Sequence, residues 1–228
     1  MSAPPGSRAA VSDRLSMGLF VLAAVSGIVD AVTFLGLGHI FTANMTGNVA
    51  FLAFAAVGTP GISVACSLTS LAAFLSGAGL GGYFGRGVAG PFRRRWLLLS
   101  ATSEASLLVA AAIAGIAIGG DSTALVDRQY AVIVLTALAM GLGNATVQQL
   151  AVPGLTTTTV LTTTMTGLAS DFVLAGGTNP YTRRRLGSIV SLFVGAAIGT
   201  VLLQFGLSVP LIVCAACVVV ATVGYADA

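Results

Sequence analysis

The sequence contains no lysine, a single histidine, and few charged residues of either sign. Only 7% of its 228 residues are charged, whereas an average soluble domain carries roughly 25%. Hydrophobic residues make up 56% of the chain, and the mean hydropathy is +0.99. A soluble chain this apolar could not cover its surface with polar groups, so lipid must be its solvent. The composition therefore predicts an all-α integral membrane protein and excludes a sizeable soluble domain.

Residues suited to metal binding are equally scarce. The pair Cys214-Ala-Ala-Cys217 lies in an apolar run with no histidine or further cysteine beside it, and Cys66 is embedded in another such run. His39 has no second ligand nearby. Packed, inert thiols and a histidine without a metal are the simpler interpretation. The sequence therefore predicts neither a metal nor a cofactor.

The ten basic residues are all arginines, and the net charge is +3. They fall in the loops between apolar stretches, which argues against nucleic acid as a partner. Arg8 and Arg14 precede an apolar run that can mimic a signal peptide, but the run continues past any plausible cleavage point. A retained first helix is therefore expected.

Six apolar stretches are long enough to span a bilayer, which takes about 20 residues. They are approximately Leu15–Leu37, Ile62–Phe84, Trp96–Gly119, Tyr130–Leu150, Leu186–Phe205 and Ser208–Gly224. Two further stretches, about Asn44–Val57 and Thr159–Leu174, are shorter and more polar.

Each shorter stretch overlaps one copy of a repeated motif. The first copy is Phe41-Thr-Ala-Asn-Met-Thr-Gly-Asn48, and the second is Leu161-Thr-Thr-Thr-Met-Thr-Gly-Leu168. Gly27-Ile-Val-Asp-Ala31 precedes the first, and Gly141-Leu-Gly-Asn-Ala145 precedes the second. We expect one membrane domain, 1–228, made of repeats 15–119 and 130–224. Polar segments at matching places in two halves point to a binding site at the bilayer midplane.

The arginines predict the topology. Three clusters stand out, namely Arg8 with Arg14, Arg86 with Arg93–Arg95, and Arg183–Arg185. Treating both shorter stretches as re-entrant half-helices places all three clusters on the cytoplasmic side, as the positive-inside rule favours. Full crossing by either or both stretches splits the clusters. We therefore expect six spans plus two re-entrant half-helices in an inverted-topology repeat, with both termini cytoplasmic, in a bacterial inner membrane.

A half-helix that starts inside the membrane directs free N–H groups and its positive dipole end inward. Two such starts facing each other would favour an anionic or strongly dipolar solute. The substrate-binding candidates are Thr42, Asn44, Thr46, Asn48, Asn144, Thr163, Thr164 and Thr166. A threonine-rich helix interface is the alternative interpretation, because small hydroxylated residues also hold helices together.

Three acidic residues lie within or at the edge of apolar spans. Burying a charge there costs at least about 2.5–3.5 kcal/mol, so such carboxylates are functional candidates. Asp30, Glu104 and Asp171 are therefore the candidate proton-coupling residues. The repeat partner of Asp30 is the neutral Asn144.

These motifs resemble a known family. The stretch from Gly27 to Gly38 followed by the first motif copy is similar to the N-terminal signature of the bacterial YoaK-like family. Gly141-Leu-Gly-Asn-Ala-Thr-Val-Gln-Gln149 with the later Met-Thr-Gly resembles its second-half signature. The resemblance implies a small multi-pass membrane protein and supplies no substrate.

The leading functional hypothesis is a secondary transporter or permease for a small polar or anionic solute, coupled to protons through Asp30. A channel and a non-transporting scaffold or sensor are the alternatives. Enzymatic activity is not expected, and intramembrane catalysis by Asp30 and Asp171 is the one enzymatic alternative left open. The expected partners are the lipid bilayer and a small molecule or ion. The small-residue run 77–82 would suit close contact within or between protomers, which leaves a homo-oligomer open.

Overall fold

The structure is a computed structural model that describes residues 5–85, 93–116, 122–150, 165 and 182–226. The described residues form seven α-helices and a short 3-10 turn at Leu203–Phe205, and none of them lies in a strand. The helices are α1 (Pro5–Gly36), α2 (Met45–Ala56), α3 (Val64–Phe84), α4 (Arg93–Ile116), α5 (Ser122–Leu150), α6 (Thr182–Leu202) and α7 (Ser208–Ala226).

Six of these helices are long and apolar enough to cross a bilayer, which confirms the predicted multi-pass helical architecture. The candidate spans are Arg14–Gly36, Val64–Tyr83, Arg93–Ile116, Val126–Leu150, Thr182–Phe205 and Ser208–Ala226. The seventh helix, α2, has 12 residues and is therefore only about 18 Å long, too short to span. Apart from Met165, the second shorter stretch, including Thr163, Thr164, Thr166 and Asp171, lies outside the described residues.

Glycine determines how closely the main helix pairs approach. α1 packs along α6, and α3 packs along α5. A Cβ atom built on Gly27 would lie 2.2 Å from the carbonyl oxygen of Leu192, and one built on Gly141 would lie 2.1 Å from that of Phe74. Without a Cβ at these positions, two helix backbones can touch, which is how helices associate in lipid.

The same two contacts recur from the opposite helix of each pair. A Cβ on Gly195 would lie 2.0 Å from the carbonyl oxygen of Ala24, and one on Gly77 would lie 2.2 Å from that of Leu138. Residues 24 and 27 of α1 therefore correspond to residues 138 and 141 of α5. Residues 192 and 195 of α6 correspond in the same way to residues 74 and 77 of α3. The α1–α6 and α3–α5 crossings are therefore built alike.

The remaining long helices complete a central core. α4 packs against α7 and α5, while α7 also packs against α1. Fully buried side chains from these helices meet in one cluster that includes Val29, Leu108, Ile133 and Leu211. Among the residues that the structure describes, the two buried carboxylic acids are Asp30 on α1 and Glu104 on α4.

Candidate functional site

The first motif copy begins at a tight reversal after α1. Gly38 has φ +90° and His39 has φ +62°, a left-handed backbone that glycine adopts readily. The carbonyl oxygen of Leu37 accepts a hydrogen bond of 2.7 Å from the Gln129 side chain of α5. The reversal directs Phe41 to Asn44 back along α1.

Asp30 holds this returning segment through its carboxylate. Its Oδ1 accepts the backbone N–H groups of Thr42 at 3.0 Å and Ala43 at 2.8 Å. Its Oδ2 accepts the backbone N–H of Asn44 at 3.1 Å and the Asn44 side-chain Nδ2. Four donors therefore occupy the roughly four lone-pair positions of an ionised carboxylate. The residue is only 6% exposed, so these bonds replace its hydration.

Helix positions define how deep the segment reaches. Asp30 precedes the last residue of α1, Gly36, by six positions, and Ser70 follows the first residue of α3, Val64, by six positions. Asp30 and Ser70 both bind the start of the motif. Since a helix rises about 1.5 Å per residue, the start of the motif lies about 9 Å inside the end of α1 and about 9 Å inside the beginning of α3. α2 starts at this level and packs against α3.

Asn48 and Ser70 close the motif from the other side. The Asn48 side chain accepts the Phe41 N–H at 2.9 Å through Oδ1 and donates through Nδ2 to the Phe41 carbonyl. Ser70 Oγ also donates to that carbonyl, at 2.7 Å. Asn48 and Ser70 are 1% and 0% exposed. Their polar groups therefore form hydrogen bonds within the motif and with each other.

The motif glycine makes room for an aromatic ring. A Cβ built on Gly47 would lie 2.6 Å from the Phe41 ring. That ring stacks on Phe34 of α1 at a centroid distance of 5.0 Å and on Phe51 of α2 at 5.7 Å. The aromatic stack therefore fastens α2 to the end of α1.

The predicted site residues in the described segments do not form one site. Thr42, Asn44 and Asn48 gather around Asp30 and Phe41, as the motif suggests. Thr46 lies on the exposed face of α2. The Thr42 side chain is fully buried, and its hydroxyl has no hydrogen-bond partner among the described residues.

Asn144 and Glu104 line a small cavity that is separate from the first motif copy. It has a volume of about 20 Å³ and is also lined by Ser26 of α1, which is room for about one water molecule. Glu104 is 6% exposed. A Cβ built on Gly143 would lie 2.6 Å from Glu104 Oε1, so the missing side chain of Gly143 provides the space for this carboxyl group.

A groove of about 360 Å³ lies beside Asp30, between α1, α6 and the motif. Its polar lining comes from Asp30, Asn44 and Thr200, and the rings of Phe34 and Phe41 form part of its wall. A larger groove of about 490 Å³ lies between α1 and α7, with Arg14 as its charged residue and mostly hydrocarbon walls. Among the described grooves, only the smaller one combines an acid, an amide and aromatic rings.

The cysteines take no part in either polar site. Cys66 and Cys214 are buried, Cys217 is half-buried, and all three are free thiols. The Cys214 Sγ lies 3.9 Å from the carbonyl oxygen of Val25. Within the described ranges, no three His, Cys, Asp or Glu side chains are grouped to hold a metal ion.

Two residues that build these sites, Ser70 and Gln129, escaped the sequence analysis. Gly143 was noted only as part of the segment that precedes the second motif copy. A signal for Ser70 exists in the sequence, because the spacing Ser70, Gly77, Gly81 in α3 recurs as Ser188, Gly195, Gly199 in α6. No comparable signal marks Gly143 as the partner of Glu104.

A protein family and one relative each match most of the chain. Residues 18–224 match the family described as "Protein of unknown function (DUF1275)". The chain belongs to this family. It is also 33% identical, over 153 residues, to the UPF0700 transmembrane protein YoaK of Bacillus subtilis (strain 168). The aligned region covers 67% of this chain and 65% of that relative. No solved structure matches the chain.

Membership in this family confirms the resemblance that the two motif copies indicated. It also supports the membrane character of the chain, since the relative is named a transmembrane protein. Neither name specifies a substrate or an activity.

Proposed function

We propose that the chain is a secondary transporter for a small polar solute, in which Asp30 acts as a proton-sensitive latch on the first motif copy. The four hydrogen bonds to the Asp30 carboxylate carry the proposal. Every one of these partners is an amide, so an ionised carboxylate is matched by donors alone. A protonated carboxyl accepts fewer hydrogen bonds and adds a donor of its own.

Protonation would therefore weaken the hold on residues 42–44 and on the start of α2. A carboxyl group whose two protonation states favour different packings can couple proton movement to solute movement. Release of the latch would allow α2 to shift against α1 and α3. That shift is the two-state element that the transporter requires.

We further propose that α2 is a re-entrant half-helix and that its segment has a counterpart in the second half. The depth of about 9 Å inside the ends of α1 and α3 and the length of 12 residues support this arrangement. The matched glycine contacts of the α1–α6 and α3–α5 crossings support two repeats, 15–119 and 130–224. Three spans per repeat would make the second repeat inverted.

The proposed topology places both termini in the cytoplasm of a bacterial inner membrane. The solute site would lie nearer the membrane face where α1 ends than the midplane. The backbone N–H groups of Thr42, Ala43 and Asn44, immediately before α2, are bonded to Asp30. An anionic solute at the start of α2 would therefore lie beside the carboxylate of Asp30. The bilayer and the solute are the partners that this proposal requires, and no catalytic step is part of it.

A non-transporting scaffold or sensor is the second candidate, and one observation favours it. The side chains of Thr42, Asn48 and Ser70 are buried. Those of Asn48 and Ser70 form hydrogen bonds to Phe41 within the motif. Such a segment could serve as a rigid structural element that never opens.

Proteoliposomes that contain a pH-sensitive dye separate the two candidates. Purified protein is reconstituted with an imposed pH gradient, and panels of amines, amino acids, carboxylates and sugars are added. We expect at least one panel to drive proton movement in the wild type, Asp30→Asn to abolish this movement, and the exposed Asp127→Asn to leave it unchanged. Equal pH dependence in the wild type and Asp30→Asn would reject the latch, and no response to any panel would favour the scaffold.

A further inference from the structure

The groove beside Asp30 presents mostly hydrogen-bond acceptors to whatever enters it. Asn44 donates one Nδ2 hydrogen to Asp30, which leaves its amide oxygen as an acceptor and its second Nδ2 hydrogen as a donor. Thr200 donates its hydroxyl hydrogen to the carbonyl oxygen of Ala196 at 2.9 Å, which leaves oxygen lone pairs. An ionised Asp30 has no hydrogen to donate.

Charge favours the same class of ligand. Asp30 is the one charged residue among the described residues that line this groove, and none of them is basic. Its hydrogen-bond partners are neutral amides, so they satisfy its lone pairs without cancelling its charge. A full negative charge at membrane depth is costly, and a ligand cation would offset that cost.

Aromatic rings complete the lining. Phe34 and Phe41 border the groove, and their stacked rings are 5.0 Å apart. The negatively polarised faces of such rings attract ammonium and guanidinium groups. The remaining walls are hydrocarbon or glycine, including Ala31, Leu35 and Leu192, and suit a short alkyl chain.

We infer that this groove binds a small organic ammonium ion, with its nitrogen near Asp30 and Asn44 and its alkyl part between α1 and α6. That this ion is also transported rests on the proposed function, for which it gives the class of solute. The volume of about 360 Å³ is within the usual range for small-molecule sites.

Competition with protons follows from the single carboxylate. Asp30 is the one titratable group in the described lining of the groove. At the same end of the bundle, His39 is exposed and meets the Phe34 ring edge-on at 5.1 Å. Asp127, Arg128 and Tyr130 lie near the start of α5, which bonds to the end of α1 through Gln129, and none of them lines the groove. An ammonium ion and a proton would each neutralise Asp30, so the binding of one disfavours the other. Exchange of an amine for a proton is the transport mode that such a site supports.

Binding can be measured without transport by using four-carbon probes that differ only in charge. Purified full-length protein in lipid nanodiscs is titrated calorimetrically with n-butylammonium, n-butanol and n-butyrate. We expect saturable binding of n-butylammonium and at least about tenfold weaker binding of the other two, which corresponds to about 1.4 kcal/mol. Equal binding of n-butyrate or n-butanol would overturn the inference.

Variants locate the binding in the groove. Asp30→Asn removes the charge and should abolish binding of n-butylammonium. Phe34→Leu should weaken it by about two- to thirtyfold, the range of one cation–π contact. Because Asp30 also supports the motif, Thr200→Trp provides an independent test by filling the groove from the exposed side of α6. Val201→Trp, one residue along and exposed outside the groove, is the matched control.

Binding that persists in Thr200→Trp contradicts the groove as the site. Binding of n-butylammonium without amine-driven proton flux retains this inference and rejects transport. Proton-coupled flux of another solute without n-butylammonium binding rejects this inference and leaves the proposed transporter.

Discussion

Gly143 of α5 lies directly against the carboxyl group of Glu104 of α4. A Cβ at position 143 would approach Glu104 Oε1 to 2.6 Å and both other carboxyl atoms to 2.7 Å. The acid can be buried in the bundle because its neighbour has no side chain. The pair therefore behaves as one packing unit.

The first prediction concerns this unit. Gly143→Ala should destabilise the protein by about 1–3 kcal/mol, because the added methyl group overpacks a filled space. Glu104→Ala should remove most of that penalty, since it deletes the side chain that the methyl group meets. The loss of unfolding free energy in the double variant should thus be smaller than the sum of the losses in the two single variants. Thermal unfolding in detergent measures the cycle, and additive effects would contradict the contact.

The second prediction concerns the matched helix crossings. Gly27→Ala and Gly141→Ala should each lower the unfolding midpoint, because the methyl group meets a backbone carbonyl that cannot rotate away. The expected loss is about 1–3 kcal/mol for each variant. Gly79→Ala is the matched control, since it lies in α3 with nothing within 4 Å of its Cβ position. An effect of Gly79→Ala as large as that of Gly141→Ala would count against the crossing geometry.

The third prediction concerns the closure of the first motif copy. Asn48→Ala leaves the Phe41 N–H without its acceptor, which should cost about 1–3 kcal/mol. Ser70→Ala removes one of two donors to the Phe41 carbonyl and should cost about 0.5–1.5 kcal/mol. Hydrogen exchange of the Phe41 amide should accelerate in Asn48→Ala.

The control for this experiment is Ser76→Ala on the same helix. Ser76 is exposed and donates only to the carbonyl of Ala72 within α3. We expect a change within about 0.5 kcal/mol. Unchanged exchange at Phe41 in Asn48→Ala would show that the motif is held by other contacts.

The fourth prediction concerns the topology. Single cysteines are introduced at Thr59, Asp127, Arg95 and Arg183 after the three native cysteines are replaced. With α2 re-entrant, a membrane-impermeant maleimide should label Thr59→Cys and Asp127→Cys in intact cells. Arg95→Cys and Arg183→Cys should react only after lysis. If α2 crossed the bilayer, the labelling of positions 59 and 95 would be exchanged.

Much of the architecture could be read from hydropathy alone. The six spans were predicted because a helix in lipid must be apolar over about 20 residues, whatever it packs against. The first motif was recognised because it recurs in the second half of the chain and because Thr42, Asn44, Thr46 and Asn48 interrupt the apolar pattern. Its partner Ser70 was missed, since serine is common inside transmembrane helices, where it also serves in ordinary helix–helix packing.

The roles of the individual side chains depended on tertiary contacts. Asn48 was predicted to bind a solute, yet its amide is bonded to Phe41 and Ser70. Asn144 was paired with Asp30 by the repeat, yet it lines the cavity of Glu104. The start of α2 was expected to attract an anionic solute, whereas the Asp30 carboxylate binds the three backbone amides that precede it.

The sequence by itself determined the membrane class, the family, the six spans and the position of the first motif. These follow from composition and local pattern, which lipid enforces along each helix separately. Only the tertiary structure decided that Asp30 binds the backbone amides of residues 42–44, that Gly143 accommodates Glu104, and that Asp30 is the one charged residue in the described lining of the groove by Thr200. Each of these depends on which atoms of different chain segments meet. The sequence pattern of a single helix does not specify those contacts.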